Sequence, residues 1–314
     1  MNWKDKRVFI TGGTGFIGSH LAKRLRSLGA KVGLFIHKSQ SPLDCFKVIG
    51  DLSLKSTPAF LSSSFSHFNP EFVFHLAAQP LVQVAMKDSL ETLRINIDGT
   101  YNLLDACVGL ESLKAFVHVS TDKVYGDVDR AVREDDELHG VSHPYNASKL
   151  CGDVIAQMYA KSFGVPVVIA RSGNVYGGGD KSPDRLIPET IRSTLKGERT
   201  VIRSDGTLER DYVFVEDIVD GYLVLAEKMS LGDTKKGLAV NLGARESMSV
   251  LEVVHEILGK MRRVDLSPEI TDTAKFEIPY QHLNWGLAKS MGWSPKTSFS
   301  DGLDKTIAWY SENQ

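Results

Sequence analysis

Two short segments, STDKVYG at 120–126 and YNASK at 145–149, carry side chains suited to acid–base chemistry. Tyr145 and Lys149 are four residues apart, so a helix would place them on one face, one turn apart. A lysine ammonium at that spacing favours the phenolate and lowers a tyrosine pKa that starts near about 10. Thr121 can supply a hydroxyl to the same substrate oxygen. These three side chains predict a site for hydride chemistry at one carbinol carbon.

A second acid–base pair, Asp122 and Lys123, follows directly after an apolar segment. Since the Tyr–Lys–Thr set is sufficient for hydride chemistry at one carbon, the added pair indicates proton transfers at neighbouring carbons. The alternative is that Asp122 and Lys123 form only an ion pair in a loop. Tyr145 and Lys149 could likewise be ordinary residues of a helix surface.

The sheet that must position these groups is predicted by apolar runs that alternate with helix-period segments up to about residue 170. Continuous apolar strands are typical of a parallel sheet that is covered on both faces. We expect strands at 7–11, 31–36, 46–49, 72–76, 115–119 and 166–170. This βαβα order predicts an α/β fold built on a doubly wound parallel Rossmann sheet.

The pattern changes after Arg171, where a glycine-rich loop at 177–183 precedes a second set of elements. We expect long helices at 90–107 and 146–161, then helices at 184–196, 216–228, 250–261 and 301–311, with strands at 199–203 and 239–242. The serine-rich stretch 61–68 is expected to be a surface connection. Residues 1–171 are assigned to a dinucleotide-binding Rossmann domain, to which the chain returns at about 213–243. Residues 172–212 and 244–314 are assigned to a smaller C-terminal substrate-binding lobe.

The segment TGGTGFIG at 11–18 lies between the first expected strand and the first expected helix. Gly12 permits the tight turn, Gly15 lets the backbone approach a pyrophosphate, and Gly18 allows close helix–strand packing. Phe16 and Ile17 open the helix. The context predicts dinucleotide binding, and the alternative is a glycine-rich turn without a ligand.

The end of the second strand bears on the choice between NAD and NADP. An NAD site usually has an acidic residue there for the ribose hydroxyl, but this chain has His37 and Lys38. Lys38 could pair with a 2′-phosphate, which tilts the expectation slightly toward NADP, or it could be a solvated loop charge. Asp51, at the end of the third strand, could accept a hydrogen bond from the adenine amino group. The expected cofactor is therefore NAD or NADP.

Composition excludes several other classes of protein. The 314 residues carry a net charge of −2 and no strongly basic stripe, which disfavours nucleic acid as a partner. No apolar run approaches the roughly 20 residues needed to cross a bilayer, and the start of the sequence has no signal-peptide pattern. The three cysteines are widely spaced and are expected to be reduced thiols of a cytoplasmic protein. No spacing predicts a metal site.

Further motifs follow in order along nearly the whole chain: HLAAQP at 75–80, RINIDGT at 94–100, RSGNVYGGGD at 171–180, DRLIP at 184–188, DGTLERDYVFVEDIVDGY at 205–222 and MGWSPKTSFSDGL at 291–303. Together with the segments above, they resemble the extended short-chain dehydrogenase/reductase family, which handles nucleotide sugars. The resemblance implies that the cofactor is tightly bound and regenerated in each cycle. The further cofactor contacts that it implies are Leu52, Leu76, Ala77, Ala78, Gln79, Asn96, Val119, Tyr145 and Lys149.

The Asp-Lys pair separates the subgroups of this family. Epimerases usually carry small residues at Asp122 and Lys123, whereas sugar 4,6-dehydratases carry an acid–base pair there. With AAQPLV and GNVYGGGD…DRLIP, the pair is most similar to the CDP-glucose 4,6-dehydratase group. The DGTLERDY and GFIGSH segments follow the general family pattern instead, which leaves CDP-glucose and GDP-mannose types of substrate open.

The resemblance implies conversion of an NDP-hexose to its 4-keto-6-deoxy form, by transient oxidation at C4, loss of water across C5 and C6, and hydride return to C6. Tyr145, with Lys149 and Thr121, takes the 4-hydroxyl proton. Lys123 removes the C5 proton as a neutral amine, which burial and the nearby Lys149 would favour. Asp122 protonates the departing 6-hydroxyl.

Substrate contacts are implied by position in the family motifs. Asn174 and Arg210 are expected near the diphosphate, where a bidentate arginine–phosphate contact is chemically sensible. Gln79 and Thr121 are also expected to contact the substrate. Three weaker candidates are Arg185, Arg203 and Leu186; the arginines could simply be exposed, and Leu186 could be core.

The sequence leaves two alternative functions open and indicates a second copy of the chain as a partner. A nucleotide-sugar 4-epimerase would need Tyr145, Lys149 and the cofactor but not the Asp-Lys pair. A cofactor-binding regulatory protein could use the same fold. The helices at 90–107 and 146–161 match those that form a homodimer interface in this family, unless their apolar faces are internal core.

Overall fold

The computed structural model describes residues 1–37, 43–273 and 278–313, so the expectation for Lys38 lies outside the described residues. A seven-stranded parallel sheet forms the centre, with strand order β10-β6-β5-β4-β1-β2-β3. Its strands are β1 (Arg7–Thr11), β2 (Lys31–Ile36), β3 (Phe46–Ile49), β4 (Phe72–His75), β5 (Ala115–Thr121), β6 (Val167–Ser172) and β10 (Leu238–Leu242). The doubly wound parallel Rossmann sheet is confirmed.

The described helices cover both faces of this sheet and build the second layer. They are α1 (Phe16–Ser27), α2 (Thr57–Phe68), α3 (Val82–Lys87), α4 (Ser89–Leu93), α5 (Gly99–Ala106), α6 (Pro144–Phe163), α7 (Leu186–Lys196), α8 (Val215–Leu231), α9 (Val250–Lys260), α10 (Gly286–Ser290) and α11 (Phe299–Glu312). In the part of the chain that the structure describes, no helix has the length and apolarity that a membrane crossing requires.

Alternate residues of β1 pack into two separate hydrophobic cores, one on each face of the sheet. Val8 and Ile10 pack with Leu21 of α1 and with residues of α8 on one face, while Phe9 packs with residues of α2, α5 and α6 on the other. All three β1 side chains are fully buried. Continuous apolar strands therefore have the two-sided burial that parallel sheets require.

The stretch 61–68 is helical, so the expectation of a surface connection is wrong. Leu61 and Phe65 lie one turn apart in α2, are buried, and pack on the sheet, with the Phe65 ring 5.0 Å from that of Phe9. Serines occupy the outer face of the same helix. A polar face beside two buried apolar residues is the pattern of an amphipathic helix, which the serine content concealed.

The expected helix at 90–107 is interrupted. A π-helical turn, Arg94–Asp98, joins α4 to α5 and buries Asn96. The Asn96 amide donates to the Ser148 hydroxyl at 2.8 Å and its oxygen accepts from the Gln79 backbone N–H at 2.7 Å. The irregular turn thus ties the loop after β4 to the helix that carries Tyr145.

A second layer follows β6. It contains a four-stranded sheet and a separate two-stranded sheet, built from β7 (Asn174–Tyr176), β8 (Val201–Ile202), β9 (Glu209–Phe214), β11 (Ser247–Ser249), β12 (Glu269–Ile270) and β13 (Tyr280–Gln281). β8 is shorter than the expected strand 199–203. Between these strands the chain returns to the main sheet through α8 and β10.

Candidate active site

Tyr145 and Lys149 lie in the first turns of α6, beside the carboxyl end of β5. His143 precedes the helix and its ring accepts a hydrogen bond from the Tyr145 backbone N–H. The Lys149 ammonium donates to the Val119 carbonyl at 2.6 Å and is mostly buried. The pair therefore meets the end of the sheet at which ligands bind in open α/β folds.

The structure does not have the lowered Tyr145 pKa that the spacing of Lys149 predicts. Burial, and then the charge of Asp122, raise the Tyr145 pKa to about 12, against a lowering by Arg185 and the Thr121 hydroxyl. Burial lowers the Lys149 pKa to about 8. Spacing along the helix predicts that Tyr145 and Lys149 are neighbours, but it does not predict how much water they lose. Here burial raises the phenol pKa by more than the nearby positive charges lower it.

Thr121, Asp122 and Lys123 lie where β5 passes into a short 3₁₀ turn, Asp122–Tyr125. The Thr121 hydroxyl donates to the Asp122 carboxylate at 2.8 Å, and the Lys123 amine is 3.6 Å from the same oxygen. Asp122 is 5% exposed, and its second oxygen has no partner among the described residues. The two residues form an ion pair in which Asp122 is buried and Lys123 is partly exposed, and the Asp122 charge is close enough to act on the Tyr145 pKa.

A buried network that the sequence did not indicate supports this end of β5. Arg171 of β6 makes two hydrogen bonds to Asp153, at 2.9 and 3.0 Å, and Asp153 also accepts from the Ser120 hydroxyl. Arg171 donates further to the Tyr125 hydroxyl at 2.8 Å. Asp153 lies one turn after Lys149 on α6, and that four-residue spacing was the available signal.

The loop between β1 and α1 has the backbone geometry of a pyrophosphate cradle. Gly12 has φ +70°, and a Cβ there would lie 2.7 Å from the Ala77 nitrogen. A Cβ on Gly18 would lie 2.1 Å from the Gly12 oxygen, so only glycine fits. At Gly15 a Cβ would meet only that oxygen, at 3.2 Å, and no side chain caps the helix that opens with Phe16 and Ile17. The cradle fits a dinucleotide.

The ends of β3 and β4 provide the remaining expected cofactor contacts. The Asp51 carboxylate accepts from Ser53 and lies 3.8 Å from the His37 ring. Its position at the end of β3 fits the expected contact to adenine, and Leu52 beside it is buried. Past β4, Leu76, Ala77, Ala78 and Gln79 form the loop that Asn96 fixes.

The expected substrate residues fall into two groups. Arg185 is paired with Asp180 at 2.9 Å and is close enough to act on the Tyr145 pKa. Arg210 is buried on β9, the strand paired with β7, which begins at Asn174.

Arg203 and Leu186 have less connection to the catalytic groups. Arg203 is exposed and donates to the Asp184 carbonyl. Leu186 packs on two apolar clusters, which favours the core alternative for this residue.

Comparison with known proteins identifies the family. Residues 8–243 match the model of the NAD dependent epimerase/dehydratase family. The chain is 30% identical to the CDP-glucose 4,6-dehydratase of Salmonella typhimurium, over 98% of this chain and 91% of that protein.

Two further similarities extend this comparison. The chain is 30% identical, over 99% of its length, to an Arabidopsis thaliana protein called trifunctional UDP-glucose 4,6-dehydratase/UDP-4-keto-6-deoxy-D-glucose 3,5-epimerase/UDP-4-keto-L-rhamnose-reductase. It spans only 48% of that protein. Among solved structures, the UDP-glucose 4-epimerase of Thermotoga maritima with UDP-glucose superimposes with a TM-score of 0.88 at 25% identity, covering 98% of this chain and 99% of that one. The chain therefore belongs to the NAD dependent epimerase/dehydratase family, and its cofactor is NAD.

Proposed function

We propose that this protein is a nucleotide-sugar 4,6-dehydratase. The observation that carries the proposal is the Asp122–Lys123 ion pair at the end of β5, in which Asp122 is buried, Lys123 is partly exposed, and the Asp122 charge acts on Tyr145. A ketone-forming step alone does not need this pair, whereas elimination across a neighbouring bond needs both a base and an acid. The similarity to the Salmonella dehydratase over nearly the whole of both chains supports the same reaction.

The site has residues that can hold the cofactor, and different side chains can carry the separate proton transfers. Bound NAD supplies hydride acceptance at C4 and hydride return at C6, and the residues that would hold it are those of the Gly12–Gly18 loop, Asp51 and the Asn96-fixed loop after β4. Tyr145 would receive the 4-hydroxyl proton, with Thr121 on the same oxygen. The pKa of about 12 shows that burial works against this role, so cations near the phenol are needed to offset it. Arg185 is one such cation.

Lys123 and Asp122 would act at C5 and C6. A 4-keto group acidifies the C5 proton. After one proton passes from the Lys123 ammonium to the Asp122 carboxylate within the pair, the neutral Lys123 amine removes the C5 proton and the Asp122 carboxyl group gives its proton to the departing 6-hydroxyl. The C5–H and C6–O bonds break, a C5–C6 double bond forms, and one water leaves. The second oxygen of Asp122, which has no partner among the described residues, is available to the leaving group.

For the substrate we propose a nucleoside diphosphate hexose, with CDP-glucose and GDP-mannose as the types expected from the motifs. UDP-glucose joins them because it appears in the name of the Arabidopsis relative. Arg210 and Asn174 would bind the diphosphate, since a guanidinium matches phosphate geometry. Arg185 would lie nearer the sugar.

A 4-epimerase is the second candidate, favoured by the close superposition on the Thermotoga enzyme. It would use Tyr145, Lys149 and Thr121 and leave Asp122 and Lys123 without a chemical role. The two candidates therefore differ in what removal of the pair should do.

Substitution of the pair tests the proposal. Lys123→Ala and Asp122→Asn should each lower dehydration of the accepted substrate by about 100- to 10,000-fold, because each removes one proton-transfer group. Product mass measures water loss, and thermal unfolding checks that the variants fold. Folded variants with full turnover would show that the pair is not catalytic.

A further inference from the structure

Lys123 has a hydrogen-bond partner from a distant part of the chain. Its amine donates to the Gln281 side-chain oxygen at 3.1 Å, across 158 residues of sequence. Gln281 is 6% exposed, and its contact is shorter than the 3.6 Å separation of the amine from Asp122. The nearest described polar contact of the proposed base therefore comes from the second layer of the fold.

The strand that carries Gln281 is held firmly. β13 pairs with β9, with Gln281 opposite Arg210, and the Arg210 guanidinium donates to the Pro279 carbonyl at 3.4 Å. Just after β13, the buried Asp211 carboxylate of β9 accepts from the Leu283 backbone N–H at 2.9 Å and bonds the His282 ring. These contacts fix the backbone on both sides of Gln281, so its amide oxygen is a preorganised acceptor.

The chemistry of an amide suits this position. A carboxylate at the same distance would add a second negative charge beside the Lys123 amine and favour its protonated form, which cannot act as a base. An amide oxygen accepts from the amine without adding a full charge. The Gln281 side-chain nitrogen is buried and has no partner among the described residues, so the fold tolerates an unused donor in order to present the amide oxygen to Lys123.

From these contacts we infer that Gln281 is a positioning residue for the proposed dehydration, one that orients the Lys123 amine toward C5 without adding a negative charge beside it. The inference rests on the proposed function, because only an elimination needs Lys123. It also gives the second layer of the fold a direct part in the dehydration step.

The test compares Gln281→Leu with the wild-type holoenzyme. Loss of the acceptor should lower kcat for dehydration by about 10- to 100-fold and leave KM within about twofold, because the base is misplaced and the substrate contacts are intact. Oxidation at C4 should proceed, so the absorbance of reduced nicotinamide should rise on mixing with substrate. Solvent deuterium should enter C5 more slowly. Gln83→Leu, at an exposed glutamine of α3, is the matched control.

A second variant separates positioning from folding. Gln281→Glu keeps an acceptor but adds charge, so it should recover activity as the pH rises, with the acidic limb of the profile displaced upward by about 1–3 pH units. The other charged groups around the contact, Asp122, Arg210 and His282, are the same in both variants.

The outcomes are distinct. Unchanged kcat in Gln281→Leu, or a loss shared equally by C4 oxidation and water loss, would overturn the inference. A wild-type enzyme that releases no water from any nucleotide sugar would overturn the proposed function, and this inference with it.

Discussion

At Tyr145, burial raises the phenol pKa, which is the opposite of the lowering that the helix spacing of Lys149 predicts. The sequence places Lys149 one turn away, but the Lys149 amine is bound to the Val119 carbonyl and burial raises the phenol pKa to about 12. Sequence spacing predicts which side chains are neighbours, because helix geometry is regular. It does not predict how much water each one loses, since that depends on elements far away in the chain.

Gln281 illustrates the same limit. It belongs to no motif, sits in a two-residue strand, and meets Lys123 only because β13 pairs with β9. No periodicity marks such a residue. Gly12, Tyr145 and Asp122, in contrast, lie in sequence motifs, so local chemistry and spacing were enough to select them as candidates.

Two histidines under the site should make stability sensitive to acid. His75 bonds the hydroxyls of Thr11 and Thr100, whereas neither ring nitrogen of His118 has a partner among the described residues. Burial, with a smaller effect of Lys149, lowers the His75 pKa to about 3 and lowers that of His118 well below its ordinary value. Since the unfolded chain takes up these protons first, their stabilisation is complete above about pH 6.5 and is lost as the pH falls toward the folded pKa.

Urea unfolding against pH measures this effect. Each histidine should contribute a slope of about 1.4 kcal/mol per pH unit below about pH 6.5, so His118→Leu should reduce the total slope by that amount. At neutral pH His118→Leu should cost little, while His75→Leu should cost about 1–3 kcal/mol because the hydrogen bonds of its ring to the Thr11 and Thr100 hydroxyls are lost. Identical slopes in His118→Leu and wild type would contradict this account.

At the scale of elements, the loop from β1 to α1 depends on a close backbone contact between Gly18 and Gly12 that only glycine allows. Gly18→Ala would place a methyl group 2.1 Å from the Gly12 oxygen, so the loop or the helix must move. We expect a loss of about 1–3 kcal/mol in unfolding free energy and a marked loss of bound NAD.

Gly259→Ala is the matched control, since Gly259 is also helical and a Cβ there would meet nothing within 4 Å. It should stabilise the protein by up to about 1 kcal/mol and leave cofactor content unchanged. Thermal unfolding and the cofactor content of the purified variants measure both effects. Full NAD content in Gly18→Ala would contradict the cradle.

The element boundaries show where sequence patterns succeed. Strands β2 and β3 lie at the expected residues because each is a short, mainly apolar run. β2 is buried from Val32 to Ile36, whereas β3, at the edge of the sheet, buries only Val48. The helix α2 was not predicted because its many serines obscured the helical spacing of Leu61 and Phe65. The π-helical turn around Asn96 does not change the hydrophobic periodicity, so the sequence pattern does not predict it. Tertiary contacts, rather than propensity, decide both features.

At the scale of the whole molecule, the doubly wound sheet and its second layer were predictable, while the contacts between the layers were not. One exposed apolar surface also allows a prediction of how two copies of the chain associate. Leu90 of α4 and Val154 and Met158 of α6 are 79%, 53% and 41% exposed. We propose that these apolar side chains form a homodimer interface, since exposed apolar groups on adjacent helices mark interaction surfaces.

Light scattering tests this assembly. The wild-type protein should have the mass of two chains, and Leu90→Glu combined with Met158→Glu should shift it to one, because two charges would be buried without partners. Val264→Glu replaces an equally exposed apolar residue elsewhere, and should leave the mass unchanged. A monomeric wild type would contradict the proposed interface.

The measurement that most directly tests the central claim is the mass of the product formed from CDP-glucose, UDP-glucose, dTDP-glucose and GDP-mannose. The purified protein is incubated with each sugar nucleotide without added cofactor. We predict that one of them loses one molecule of water, because the Asp122–Lys123 pair provides the acid and the base of an elimination. Conversion without a change in mass, detected by NMR as an epimer, would contradict the dehydratase assignment.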